Sequence, residues 1–209
     1  MYNRFDASDP AVIRNRERFL DKNGISLDQT TRLRPTYDRD DYCRYTLTDM
    51  RMGGEGMYSN DLIISDALIT TDINHALFLP VADCVGAVLY DPLNRVLAMA
   101  HLGRHSLEQR GGQKIVQHLA THYASDPAAL QVWLTPAAGK DTYPIWKLDN
   151  QGLKEATFEQ LIAAGVSMQH ITDNSADTTK DSDYFSYSEF LKDTTRPDGD
   201  HAIVAMMTA

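Results

Sequence analysis

Between positions 61 and 103 the chain carries four apolar runs in close succession: DLIISDALIT, HALFLPVADC, GAVLYD and RVLAMAHLG. Each is too short and too continuously apolar for an amphipathic helix, so each is expected to be a buried strand. The DPLN between the last two is a type I turn signal. It predicts a hairpin of 85–89 against 96–100, with Cys84 and His101 opposite each other at its open end. Strands buried on both faces need helices outside them, and three are legible. The first has Ser8 as N-cap, Asp9 and Pro10 in its first turn, and Val12, Ile13, Arg16, Phe19 and Leu20 at helical spacing. Gly24 closes it as a left-handed cap. The second spans 106–124, with Ile115, Val116, Leu119 and Tyr123 on one face. The third spans 153–164 and ends at Gly165. Further strands are expected at 32–46, where Pro35 argues for an edge or a strand start. Others are expected at 130–134, 143–148, 168–172 and in HAIVAMM at the C-terminus. The glycines of 50–61 and the polar DNSADTTKDSD read as loops. The class is α+β with antiparallel or mixed sheets.

The 209 residues read as one domain, with 43% apolar residues to build its core. A net charge of −9 argues against nucleic-acid binding, which needs clustered Lys and Arg. Two cysteines, Cys43 and Cys84, are too few for a disulfide framework and read as reduced thiols. The N-terminus lacks the apolar core of a signal peptide, and no apolar run approaches a membrane span. A cytoplasmic protein with no membrane partner is the expectation.

Cys84 follows an apolar strand and precedes the small residues Val85 and Gly86, so its thiol can face a cleft. His101 ends the next long strand, before Gly103. Two chemistries are open to the pair. His101 can take the thiol proton and leave a nucleophilic thiolate, or both side chains can ligate zinc. Other candidates read as structural. Cys43 sits in an edge-like strand, and His75 precedes its strand at the end away from Cys84. His118 and His122, spaced i, i+4, flank the apolar stripe of the second helix. The acidic DRDD at 38–41 reads as a solvated loop.

ADC, a hydrophobic strand, a D-P-x-N-R-V turn and HxG together resemble the YfiH-like laccase-domain family. Its members are also described as multicopper polyphenol oxidase-like proteins, purine nucleoside phosphorylases and a peptidoglycan editing factor. SDALIT at 65–70, NRERFL at 15–20, FEQLIAAGV at 158–166 and DYFSYSEF at 183–190 match further family elements in order. The resemblance covers nearly all of 1–209, without the family's usual opening hairpin. It implies a four-layer α/β/β/α fold with mixed sheets, shared with cysteine hydrolase-type proteins. It also implies a His–Cys–His zinc centre acting on purine nucleosides. Cys84 and His101 match two of those three ligands.

The third is expected in a Q-V-H-G motif, which here reads PTYD and places Tyr37 at the histidine position. The family's H-A-G-W-R-G reads HLGRHS, from His101 through Arg104 and His105 to Ser106. The arginine pair after FSY is Ser188-Glu189. His105, four residues after His101, is the candidate replacement ligand for zinc. Tyr37, Asp83, Arg104 and Tyr187 are assigned to substrate contact. Copper is not expected, because blue-copper chemistry needs a His₂Cys set and seven scattered histidines do not supply it. The expected activity is phosphorolysis or deamination of a purine nucleoside, with phosphate as co-substrate for the former. The alternatives are a metal-free hydrolase editing a peptidoglycan precursor and a non-catalytic binding paralogue.

Overall fold

The computed structural model describes residues 8–35, 40–59, 63–195 and 198–209. Tyr37, Asp38 and Arg39 lie outside them, so the Q-V-H-G position and the first half of DRDD receive no structural account. In chain order the elements are α1 (Pro10–Asp21), β1 (Thr30–Arg34), β2 (Tyr45–Leu47), β3 (Ile63–Ile64) and β4 (Ala67–Thr70). There follow β5 (Ala76–Val81), β6 (Val85–Asp91), β7 (Val96–Leu102), α2 (Arg104–Glu108) and α3 (Gly111–Tyr123). The last are β8 (Gln131–Leu134), α4 (Leu153–Ala163), β9 (Ile171–Asp173), α5 (Tyr187–Lys192) and β10 (His201–Met206).

Two mixed sheets result, ordered β10-β5-β1-β3 and β2-β4-β7-β6-β8-β9. Three apolar clusters set four layers. Leu20, Ile25 and Leu27, from α1 and the turns after it, pack on Ala76 and Phe78 outside the smaller sheet. Leu77 and Leu79 face Leu68, Leu97 and Met99 between the sheets. Ala98, Ala100 and Leu102 face Leu107, Ile115, Leu119 and Leu161 of the helices covering the larger sheet. The order is α/β/β/α, as the resemblance implied. Both faces of β7 are buried, which is why its sequence shows no alternation. The sheets are also stitched by His75, whose Nε2 lies 3.3 Å from Thr31 Oγ1 and 3.3 Å from Thr48 Oγ1. Both hydroxyls donate onward to carbonyls, of Met52 and Ile69, so the ring nitrogen donates to them.

Several expectations are corrected. Asp9, not Ser8, caps α1, its side chain accepting from the Ala11 N–H at 2.8 Å. The expected strand over 32–46 is two strands in different sheets, and β1 is interior, between β5 and β3. Pro35 simply follows its end. The expected helix over 106–124 divides into α2 and α3 at Arg110, which has φ +62°. A side chain at Gly111 would lie 1.9 Å from Ser106 Oγ, so the break needs glycine there. The expected strand at 143–148 is one bridge, Ile145 to Gln151, and a 3-10 turn at Trp146–Leu148. Asp149 and Asn150 both adopt left-handed backbone there, which no continuing strand permits. Among the described residues no helix is long and apolar enough to cross a membrane.

Candidate functional site: a Cys–His pair converging on a glycine

The DPLN turn forms as expected. Asp91 Oδ1 accepts the Leu93 N–H at 2.9 Å and the Asn94 N–H at 3.1 Å, fixing the register of β6 on β7. That register sets His101 opposite Gly86 and Val85 opposite Leu102. Cys84 is therefore level with Gly103, two residues beyond the His101 assigned from sequence, a shift that keeps both side chains on the same face. The offset still brings the side chains together. A Cβ built on Gly103 would lie 2.8 Å from His101 Cε1, 3.2 Å from its Nε2 and 3.0 Å from Cys84 Sγ. The thiol and the imidazole thus converge on the bare α-carbon of Gly103. Gly86 permits a second close approach, its N–H donating to Thr135 Oγ1 at 2.8 Å beside His101.

His101 is 6% exposed. Its ring lies on the inter-sheet face of β7, two positions on from Met99. Burial, reinforced by nearby His105, lowers its pKa to about 4. Burial likewise raises the Cys84 thiol to about 12, with the Asp83 carboxylate adding to the effect. The Arg104 backbone N–H and guanidinium oppose that rise. At neutral pH the resting pair is therefore an uncharged thiol beside an uncharged imidazole. Arg104 is the positive charge acting on the sulfur, and it begins α2 directly after Gly103.

The other sequence candidates take different places. Arg104 Nη2 lies 3.3 Å from His105 Nε2. The opposite face of the His105 environment is Tyr42, stacked on the ring at 4.7 Å between centroids and 18° between planes. With its Nε2 turned to the Arg104 guanidinium and its ring stacked on Tyr42, His105 clasps the 40–43 loop. Gln109 completes that clasp, donating to Asp40 O at 2.6 Å and accepting from the Tyr42 N–H at 3.0 Å. The loop that follows Tyr37 is thereby fastened to the helix that follows His101. Asp83 is 3% exposed and its carboxylate binds Thr178 and the start of α5. Tyr187 opens α5 and packs against Phe190, with 6.1 Å between ring centroids.

Among the described residues no three His, Cys, Asp or Glu side chains form a group able to hold a metal ion. The described donors near Gly103, a thiol and one imidazole, do not fit a three-ligand zinc centre. His118 and His122 face each other at 4.3 Å between centroids, and His118 also meets Tyr45 edge-on.

Sequence reasoning missed Gly103 as the point of convergence. It also missed Tyr143, whose phenol is pushed up by burial and by neighbouring Cys84, and the anchors Thr178 and Ser188. Tyr143 falls in a segment expected as strand. Thr178 sits in a polar loop with no distinguishing signal.

Residues 4–149 match the family model described as multi-copper polyphenol oxidoreductase laccase. The chain belongs to that family. YlmD of Bacillus subtilis (strain 168), a purine nucleoside phosphorylase, is 26% identical over 139 residues, 66% of this chain and 49% of that protein. The chain thus spans about half the length of that curated relative. The hypothetical protein YfiH of Bacillus licheniformis superposes with a TM-score of 0.83 at 22% identity, covering 94% of this chain and 81% of the other. YlmD of Geobacillus stearothermophilus gives 0.82 at 20% identity, covering 95% and 80%. These two show that the fold is shared.

Proposed function

We propose that the protein is an enzyme acting on purine nucleosides, with Cys84 and His101 as its reactive pair and phosphate as co-substrate. The convergence of the Cys84 thiol and the His101 imidazole on Gly103 carries this reading. Its similarity to a purine nucleoside phosphorylase supports the substrate class. In phosphorolysis a phosphate oxygen bonds to C1′ of the ribose, the C1′–N9 bond breaks, and the departing base takes a proton. His101, held neutral by burial, takes the proton of dihydrogen phosphate at Nε2 or Nδ1 as the oxygen attacks and returns it to the departing base. Cys84 enters the site carrying its proton. Arg104 supplies a positive charge beside the sulfur, suited to a phosphate oxygen. Enclosure of the pair strengthens each of these interactions.

The deciding experiment incubates the purified protein with inosine or adenosine and inorganic phosphate and separates the products by chromatography. Free hypoxanthine or adenine with ribose 1-phosphate, lost in both Cys84→Ala and His101→Ala, is the expected result. No phosphate-dependent release from either nucleoside, or release that persists in both variants, overturns the reading.

A further inference from the structure

We propose that Asp83 is the positioning residue of the Cys84–His101 pair, a buried clasp between the start of β6 and α5 that sets the direction of the Cys84 side chain. The inference rests on the reading of Cys84 and His101 as the reactive pair. Asp83 stands at φ +73° directly before the cysteine. That left-handed backbone is uncommon for a side-chain-bearing residue and persists where the surroundings over-determine it. They do so here from three separate segments. Asp83 Oδ1 accepts from Thr178 Oγ1 at 2.7 Å, and Oδ2 accepts from the Ser188 N–H in the first turn of α5 at 2.7 Å. The Asp83 carbonyl accepts from the Ala138 N–H at 2.8 Å.

The frame that receives it is itself tied. Ala137 bridges Asp177, and the Thr178 N–H donates to the Ala137 carbonyl at 3.1 Å. The Gly139 N–H donates to Asp177 Oδ1 at 2.9 Å, where a side chain on the glycine would lie 2.2 Å from Asp177 Oδ2. The chain between Val81 and Val85 is thus turned at Asp83 against a fixed support, and the turn delivers Sγ to Gly103. With both carboxylate oxygens already accepting bonds within the protein, Asp83 acts through Cys84 rather than on a substrate.

The test measures alkylation of Cys84 by iodoacetamide in a Cys43→Ser background, with and without His101→Ala. In the parent, His101 accelerates the reaction on the order of a hundredfold. In Asp83→Ala and in Thr178→Val that acceleration shrinks, towards unity in Asp83→Ala. Asp83→Asn restores it, because an amide can accept from the Ser188 N–H while donating to Thr178 Oγ1. A merely structural role lowers the melting temperature but leaves the acceleration intact in the folded variants, and that result overturns the proposal alone. If Asp83→Ala does not fold, Thr178→Val decides by the same criterion. A parental acceleration near unity overturns the Cys–His reading and this proposal with it.

Discussion

Gly103→Ala introduces a methyl at the point where the thiol and imidazole meet. The backbone does not oppose it, since φ −89° and ψ 176° are open to any L residue. All of the effect is therefore steric. The new carbon would lie 2.8 Å from His101 Cε1 and 3.0 Å from Cys84 Sγ. Comfortable separations are about 3.5–4.0 Å, so the two side chains must move apart by about 1 Å. Overpacking of this kind costs about 1–3 kcal/mol. At about 2–4 °C per kcal/mol for a chain of this size, the melting temperature falls by somewhere between a few and about 12 °C. A displacement of about 1 Å in a reactive pair lowers turnover on the order of a hundredfold. Calorimetry and nucleoside phosphorolysis, run on the same preparation, read the two consequences. An Ala variant with parental melting temperature and turnover would refute the reasoning, because it would mean that the thiol and imidazole do not converge there.

Burial holds His101 neutral down to about 4, against about 6.5 in the unfolded chain. The unfolded state therefore takes up a proton first, and stability is lost as pH falls from about 6.5 towards about 4, by about 3 kcal/mol. Urea titrations at the two ends of that window should show the loss shrinking in His101→Asn, and an identical loss would remove His101 as its source. For Cys84, with its thiol at about 12, the alkylation rate in His101→Ala, where only the free thiolate reacts, should climb about tenfold per pH unit through pH 10 without a plateau. A plateau near pH 8 contradicts the enclosed sulfur. Asp91→Ala unties the turn between β6 and β7, where Oδ2 also accepts from Asn94 Nδ2 at 2.8 Å. Denaturant unfolding should report a loss of about 2–3 kcal/mol, and a loss below about 0.5 kcal/mol would leave the turn indifferent to its aspartate.

The hairpin of β6 and β7 was legible because its signals are local: two apolar runs and a turn whose aspartate bonds to its own neighbours. The helices from Pro10 and Leu153 were legible for the same reason, through spacing and a capping or terminating residue. The segment at 143–148 was not, because its strand-like residues occur where only the isolated bridge at Ile145 forms. The break between α2 and α3 was hidden as well, since it depends on Ser106 approaching Gly111 closely. Of the candidate site, Cys84 and His101 are evident as residues, while the strand register that pairs Cys84 with Gly103 lies two residues from the one the turn suggests.

The sequence by itself determined the class of fold, the four layers through its resemblance, and the identity of the thiol and imidazole at one hairpin end. Periodicity, turn chemistry and motif order are written in residues close together along the chain. Only the tertiary structure decided what surrounds that pair. Asp83 and Thr178 are 95 positions apart and Tyr42 meets His105 from another strand's approach, so neither contact leaves a pattern in the sequence. Nor does charge: the same cysteine and histidine would titrate near ordinary values in water. Burial beside the α-carbon of Gly103 is what holds the thiol protonated up to about 12 and the imidazole neutral down to about 4.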